Sequence, residues 1–396
     1  MVTNLLTASN QWQNRPADER FVTLIDLKNA VQDRKNVSFE GIVETQNLKV
    51  VPTPVLGSDR GQDSISLDFV VSAQSNDYDN RNLDMTHWAF GQISNLAGAP
   101  ASYLRTLSPE LVSQNLNHTL PKTRETAKLL LTVNGRTKVR AFTSESYGRI
   151  WDIDVVNAVE RLCERNPNWH NPPAYKRNTN RPIPDTDRGT ELVPVQTGME
   201  NLVLSEVEAA GLYASDRDIF MFLVDEDHRI EVGNESLSRG FFVWNSEVGK
   251  SSFGLMTFLY RYVCGNHIVW GAQEVREIRI RHSLNAPSKA FSEIMPVLNR
   301  YVESSASYEE QTIRKAIECH PANDKEGVIN WLQKNGFTRV VSERAYEYAV
   351  TEEGNGTSLW NIVQGLSAMA RDRKHVDARV DLERQAGKLL NSVNMC

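Results

Sequence analysis

FFVWNSEVGKSSFGLMTFLYRYVCGNHIVWGAQEVREIRIRHS, residues 241–283, is the stretch from which the architecture is read. Aromatic and β-branched residues run through it, and such side chains suit a pleated, half-buried surface. Gly249-Lys250 supplies turn chemistry in its middle. In the closing segment Arg276, Ile278 and Ile280 share one face of a strand, while Glu277, Arg279 and Arg281 take the other. The same character extends back to Asp218. Residues 219–224, 240–247 and 255–263 form three strand candidates, with turns at Gly233-Asn234 and Gly249-Lys250. The third lacks clean alternation and fits a buried helix equally well.

Working towards the N-terminus, residues 128–132 and 137–142 flank Asn134-Gly135, a strong hairpin signal. Residues 154–161 read as a helix. Phe21, Leu24, Leu27, Ala30 and Val31 mark another within 15–36. Strands are expected at 48–52 and 64–69, and helices over 86–117, where Thr86 caps the first and Ser108-Pro109-Glu110 starts a later one. Beyond residue 283 the pattern is helical. Ser288 is positioned to cap a helix kinked by Pro296, and helices follow at 308–318, 324–335 (stopped by Gly336), 357–371 and 380–393. The expected fold is α+β, an antiparallel meander with flanking helices and a helical C-terminal portion. It divides into an N-terminal α/β portion (1–120), the sheet core (121–283) and the helical portion (284–396).

Residues 165–190 stand apart, rich in proline and asparagine and unable to form a core of their own. This long loop carries Arg165, Lys176, Arg177, Arg181 and Arg188, with Trp169 and Tyr175 between them. Basic residues interleaved with aromatics suit a single-stranded nucleic acid, whose phosphates and base faces they contact. A solvated loop with scattered charges is the plainer alternative.

The chain has 396 residues, 40% apolar and 24% charged, with a net charge of −6, as in an ordinary folded protein. No apolar run approaches the ~18 residues that cross a bilayer. The opening residues lack the basic and apolar regions of a signal peptide, so a cytoplasmic location is expected. Cys163, Cys264, Cys319 and Cys396 show no redox or zinc spacing and are expected as buried free thiols. The negative net charge does not preclude a local basic groove.

Catalytic patterns are scarce. Asp225-Glu226-Asp227-His228, with Glu247 on the next strand candidate, would hold a hard cation only if Asp225, Asp227 and Glu247 converged. Gly249-Lys250-Ser251 ends like a phosphate-binding loop, but the required earlier glycine falls on Trp244. Cys264 sits in an apolar run, where a thiol is inert. No catalytic residue and no cofactor is expected. The strongest cluster is Arg276, Arg279, Arg281, His282 and Lys289, which could hold successive phosphates. Charge of this kind also protects an edge strand from aggregation.

Five segments in order, WAFGQISNLAGAPASYL (88–104), VRAFTSESYGRI (139–150), VWNSEVGKSSFGLMTFLYRYVCGNHIVWG (243–271), RIRHS (279–283) and SLWNIVQGLSAMARD (358–372), resemble the phage/plasmid-like proteins of the domain of unknown function nine-three-two. The resemblance spans roughly residues 65–390 and departs at His267, where the family usually has Gly or Thr. It implies a gene of a phage, plasmid or integrative element acting in a bacterial cytoplasm, and it implies no catalytic residue. The meander with a basic strand is also broadly similar to single-strand annealing proteins. The expected function is therefore a non-enzymatic DNA-binding accessory protein, favouring single strands. Arg276, Arg279, Arg281, His282, Lys289, Lys176, Arg177 and Arg181 would contact DNA, with Trp169 and Tyr175 stacking on bases. The alternative is a protein-interaction factor, such as an inhibitor of a host defence system, or a self-assembling homo-oligomer.

Overall fold

Gly240 and Gly254 show how the central sheet closes. In the antiparallel register Gly240 lies opposite Phe258, and Gly254 lies opposite Trp244. Each ring covers its partner glycine so closely that an added Cβ would come within 2.1 Å of ring carbon in either case. The structure is a computed structural model and describes residues 19–53, 64–69, 83–123, 125–171, 175–177, 192–194, 207–209, 212–225, 227–261, 267–268, 277–371 and 376–395. The fold is α+β, with antiparallel sheets and a helical C-terminal part.

Strands Ile219–Asp225, Glu235–Asn245 and Phe253–Arg261 form the expected meander. The segment that fitted strand or helix equally is a strand, because its alternate residues pair across the sheet. Leu212–Ala214 and Arg20–Phe21 extend one side, and Glu277–Ile280 pairs with Phe253–Arg261 on the other. With Ile230–Val232, His267–Ile268 and Trp169–His170, the sheet has nine strands among the described residues. Met221, Leu223, Phe241, Val243, Phe253 and Leu255 line one face, against helices Leu24–Asn36, Asp152–Arg165 and Met295–Glu303. The other face carries Phe220, Phe222, Phe242 and Phe258, with neighbouring ring centroids 4.4 to 5.3 Å apart.

The hairpin at Asn134-Gly135 forms, with Gly135 at φ 72°. It does not join the meander, so the single sheet expected over 121–283 is corrected: the strands described there are divided among three sheets. Thr126–Asn134 pairs instead with Ser38–Glu44, which the sequence reading left unassigned. Arg136–Ser144 takes Asp84–Met85 in parallel on its far side. Helices His87–Leu96 and Pro109–Thr123 cover this four-stranded sheet through Ile93, Leu116, Leu129 and Leu131. Leu48–Thr53 and Ser64–Phe69 pair with each other as a separate ribbon. The 165–190 segment is not wholly a loop: Trp169–His170 joins the large sheet, and Tyr175–Arg177 pairs with Leu192–Pro194 and Val207–Ala209.

Beyond the sheets, Ala286–Lys289 follows Asn285, so Ser288 lies inside that helix rather than capping it. The kink expected at Pro296 appears as a π turn at Ala290–Ile294, just before Met295–Glu303. A proline lacks the N–H of the regular ladder, and a wider turn accommodates that loss. Helices Ser307–Glu318, Lys325–Lys334, Arg339–Glu353, Leu359–Arg371 and Val376–Leu389 build a second core on Ile313, Leu332, Trp360, Val363 and Leu366, which meets the sheet at Leu237 and Leu259. Cys163 is a free thiol, whereas Cys319 is disulfide-bonded, contrary to the expectation of free thiols. Among the described residues no helix is long and apolar enough to cross a membrane.

Candidate functional site at the junction of the sheets

Four of the five segments quoted above converge where the two sheets meet. The turn after Glu235–Asn245 provides Ser246, Glu247, Val248, Gly249 and Lys250. Helix His87–Leu96 grips it, with Trp88 Nε1 and Gln92 Nε2 donating to the Val248 carbonyl at 2.9 and 2.8 Å. Tyr147 donates its hydroxyl to the Ser246 carbonyl at 2.8 Å. Gly148 lets its loop abut the chain after Glu277–Ile280, since a Cβ there would lie 1.9 Å from the Ser283 carbonyl oxygen.

Behind the turn lies a buried ionic group. Glu247 accepts from Arg140 Nη1 at 2.8 Å and from the Asp152 backbone N–H at 3.0 Å. Asp152 accepts from Arg34 Nη2 at 2.7 Å and from Asn245 Nδ2 at 2.7 Å. Arg149 donates to Glu40 at 2.7 Å and to the Glu247 carbonyl. Burial pushes the Glu247 carboxyl up, but Arg140 and Arg34 outweigh it and hold the group below the usual carboxylate range. Asp152 is pushed up to about 7, first by burial and then by the neighbouring Glu247. Two guanidinium groups thus favour one carboxylate at the other's expense.

In front of the turn lies a cleft of about 520 Å³. Lys250, Arg281 and His282 line it with Tyr147, Gln92 and the hydroxyls of Ser144, Ser146, Ser251 and Ser252, and no carboxylate is among its lining residues. Gly249, at φ 79°, turns the chain so that the Lys250 N–H reaches Ser246 Oγ at 2.9 Å. The Lys250 ammonium is 3.5 Å from Asp218. His282 stacks on Tyr147 with ring centroids 4.8 Å apart, and its Nδ1 lies 3.1 Å from the Gly148 carbonyl oxygen. A carbonyl only accepts, so that nitrogen carries the proton. The Ser251 backbone also hydrogen-bonds the ring, and Nε2 is closed to solvent. Burial lowers the pKa of His282, Arg149 adds to that effect, and the Gly148 and Ser251 backbones oppose it. A second cleft of about 820 Å³ mixes Arg34, Lys138 and Arg140 with Glu19, Asp84 and Asp216, and so has no preferred sign of charge.

Of the residues singled out in the sequence, Arg281 and His282 reach the first cleft, and Arg279 and Lys289 are exposed. Arg279 lies over the Trp244 ring at 5.7 Å. Trp169 is corrected: at 1% exposure it packs against Phe241 and Tyr301 and is not open to stack on a base. Its neighbour Arg239 lies over both the Trp169 and the Tyr301 rings, 5.6 and 5.3 Å from their centroids and 4.0 Å from buried Asp225. Tyr175, Lys176 and Arg177 lie on a short strand whose side chains are outside the described residues, as are Arg181 and Arg276 altogether. The cation cluster does not assemble. Ile219 pairs with Asn245 and Val224 with Gly240, so Asp225 and Glu247 occupy opposite ends of paired strands. At ~3.3 Å per residue they are roughly 20 Å apart. Among the described residues no group of three metal-ligating side chains forms.

The sequence reading missed Lys250, Tyr147, Gln92 and the ionic group. A signal was present: Arg140 interrupts the apolar run Val139–Phe142, and Asp152 stands between Trp151 and Ile153. A charge in such a position needs a buried partner.

Fold and site together define an α+β protein whose two larger sheets are joined by an ionic hub behind a basic cleft. Residues 190–377 match the family described as Domain of unknown function (DUF932), the family that the five segments resemble. No curated protein and no solved structure matches the chain. The matched segment contains Glu247, Lys250, Arg281 and His282, while Arg34, Arg140, Tyr147 and Asp152 precede it. Both the hub and the cleft are therefore completed from outside the matched residues.

Proposed function

We propose that this protein is a non-enzymatic DNA-binding accessory protein, favouring single strands, that serves replication or recombination of a phage, plasmid or integrative element. The observation that carries this reading is the cleft lined by Lys250 and Arg281 without a carboxylate, with Arg279 and Lys289 exposed on the same stretch of chain. Cations attract phosphates, here in competition with Asp218 at Lys250, and each phosphate neutralised releases counterions. Serine hydroxyls and backbone N–H groups position a phosphate without reading sequence. The mobile-element setting comes from the family resemblance and is an argument by association.

The test is binding of the full chain to a labelled single-stranded oligonucleotide across a salt series. A log–log slope of several units is expected. Reversing charge in Arg279→Glu/Arg281→Glu should lower the slope by about 1 per lost phosphate contact. Absence of binding at low salt overturns the DNA reading, and unchanged affinity in the double variant overturns the site.

A further inference from the structure

Among the described residues the central sheet has two aromatic–glycine pairs, and they differ in what surrounds the ring. Phe258 covers Gly240 and is fully buried, with Phe222 and Phe242 packed around it. Trp244 covers Gly254 but stays half-buried. Seating a ring on a glycine asks only for an aromatic residue, and phenylalanine meets that need at Gly240. The tryptophan at Gly254 brings an N–H besides. The indole N–H groups of Trp169 and Trp360 are enclosed in the cores, and that of Trp88 is donated to the Val248 carbonyl. That of Trp244 is not enclosed and finds no acceptor among the described residues, so it faces solvent.

Register sets this ring beside arginines. Phe220, Trp244, Gly254 and Arg279 lie directly opposite one another on successive strands and so share one face of the sheet. Ile280 points the other way, into the core under the helices. Exposed Arg279 lies over the Trp244 ring, 5.7 Å from its centroid. Ser252 is two residues before Gly254 and Arg281 two after Arg279, and both line the cleft. At ~3.3 Å per residue, the cleft wall begins about 7 Å from this row.

A flat ring fixed on a glycine, open at its edge and set beside arginines suits an unpaired nucleobase. Bases stack on aromatic faces while cations hold the backbone. A base inside a duplex has both faces taken by its neighbours, so such a contact selects single strands. We propose that Trp244 is the base-stacking residue of the DNA interface, with Arg279 and Arg281 on the adjoining phosphates. This rests on the DNA reading above and fills the stacking role that buried Trp169 cannot. A cation–π contact at an exposed site is weaker than the stacking of a base on an aromatic ring. An incoming base therefore displaces the Arg279 guanidinium from the indole. The ring already rests on the Gly254 backbone, so little of its freedom is lost on binding.

The experiment compares two labelled single strands of equal length and charge, one bearing bases and one made of abasic sites, binding to the full chain at fixed salt. The wild type should bind the base-bearing strand about tenfold tighter or more. Trp244→Leu should bind the two strands alike, and Trp244→Tyr should keep most of the preference. Should Trp244→Leu fail to fold, the wild-type chain labelled with fluorotryptophan decides the matter. Its Trp244 fluorine signal, assigned through Trp244→Tyr, should shift with the base-bearing strand and stay in place with the abasic one. Equal affinity of the wild type for both strands, or a preference undiminished in Trp244→Leu, overturns the proposal and leaves salt-dependent DNA binding intact. Failure of the wild type to bind either strand at low salt overturns the DNA reading, and this site with it.

Discussion

Asp152 occupies a position in which a charge is costly. It is fully enclosed, it abuts Glu247, and Arg140 is already committed to that neighbour. Its folded-state pKa of about 7 lies above the ordinary 3.8, so the folded chain binds more protons than the unfolded chain between those values. That contribution to stability is fully present below about pH 4 and is lost as pH rises through about 7. At ~1.4 kcal/mol per unit, the loss is at most about 4 kcal/mol. Compared with Asp152→Asn, the wild type should lose urea stability steadily from pH 4.5 to 7.5; a pH-independent difference would refute the assignment. Glu247→Gln should act differently, leaving Arg140 and Arg34 without their shared anion at a cost of about 3–5 kcal/mol, read as a lower denaturation midpoint at pH 7. At this scale the sequence was legible where residues stay near the surface, as with Arg279 and Arg281. It was opaque where partners are distant: nothing local in Val139–Phe142 says that Arg140 meets residue 247.

The elements were legible in proportion to their apolar contrast. The meander could be read because alternating large side chains and turn glycines agree at 233 and 249. Its glycines at 240 and 254 are places for aromatic rings, and Gly240→Ala should drive the Phe258 ring from its seat. Overpacking of this kind costs about 1–3 kcal/mol, measurable by chemical denaturation. Helix Arg339–Glu353 was not foreseen, although Thr338 caps it and Gly354 ends it at φ 74°. Its buried face is Ser342, Ala345 and Ala349, small residues that give a faint periodic signal. They are small because Leu359–Arg371 comes close: a Cβ on Gly365 would lie 2.2 Å from the Ala345 carbonyl oxygen. Gly365→Ala should part the two helices and lower the melting temperature, while an unchanged value would mean that the contact is looser than described.

Over the whole molecule, the portions expected from the sequence are stitched together by long-range pairing. Ser38–Glu44 finds its partner in Thr126–Asn134, and Arg20–Phe21 borders a sheet whose other strands lie far along the chain. Such pairings have no local signature, since their loop-closure cost is met only by the assembled core. The family-matched segment 190–377 provides most of the large sheet and the covering helix Met295–Glu303, but not the covering helices Leu24–Asn36 and Asp152–Arg165. Leu27, Val31, Val155, Val159 and Leu162 all come from before residue 190. An isolated 190–377 fragment should therefore expose that apolar face and fail to give the dispersed amide spectrum of the full chain; a well-dispersed spectrum would show that the segment is autonomous. The backbone contact between Gly148 and Ser283 bears on the timing of events at the cleft. With main chain against main chain, no side-chain cushion is left there to compress, and the two walls behave as one welded body. Traffic then depends on the swing of the exposed Lys250 and Arg281 side chains, a picosecond-to-nanosecond motion rather than a slow closure. Occupancy at such a mouth is paced by encounter.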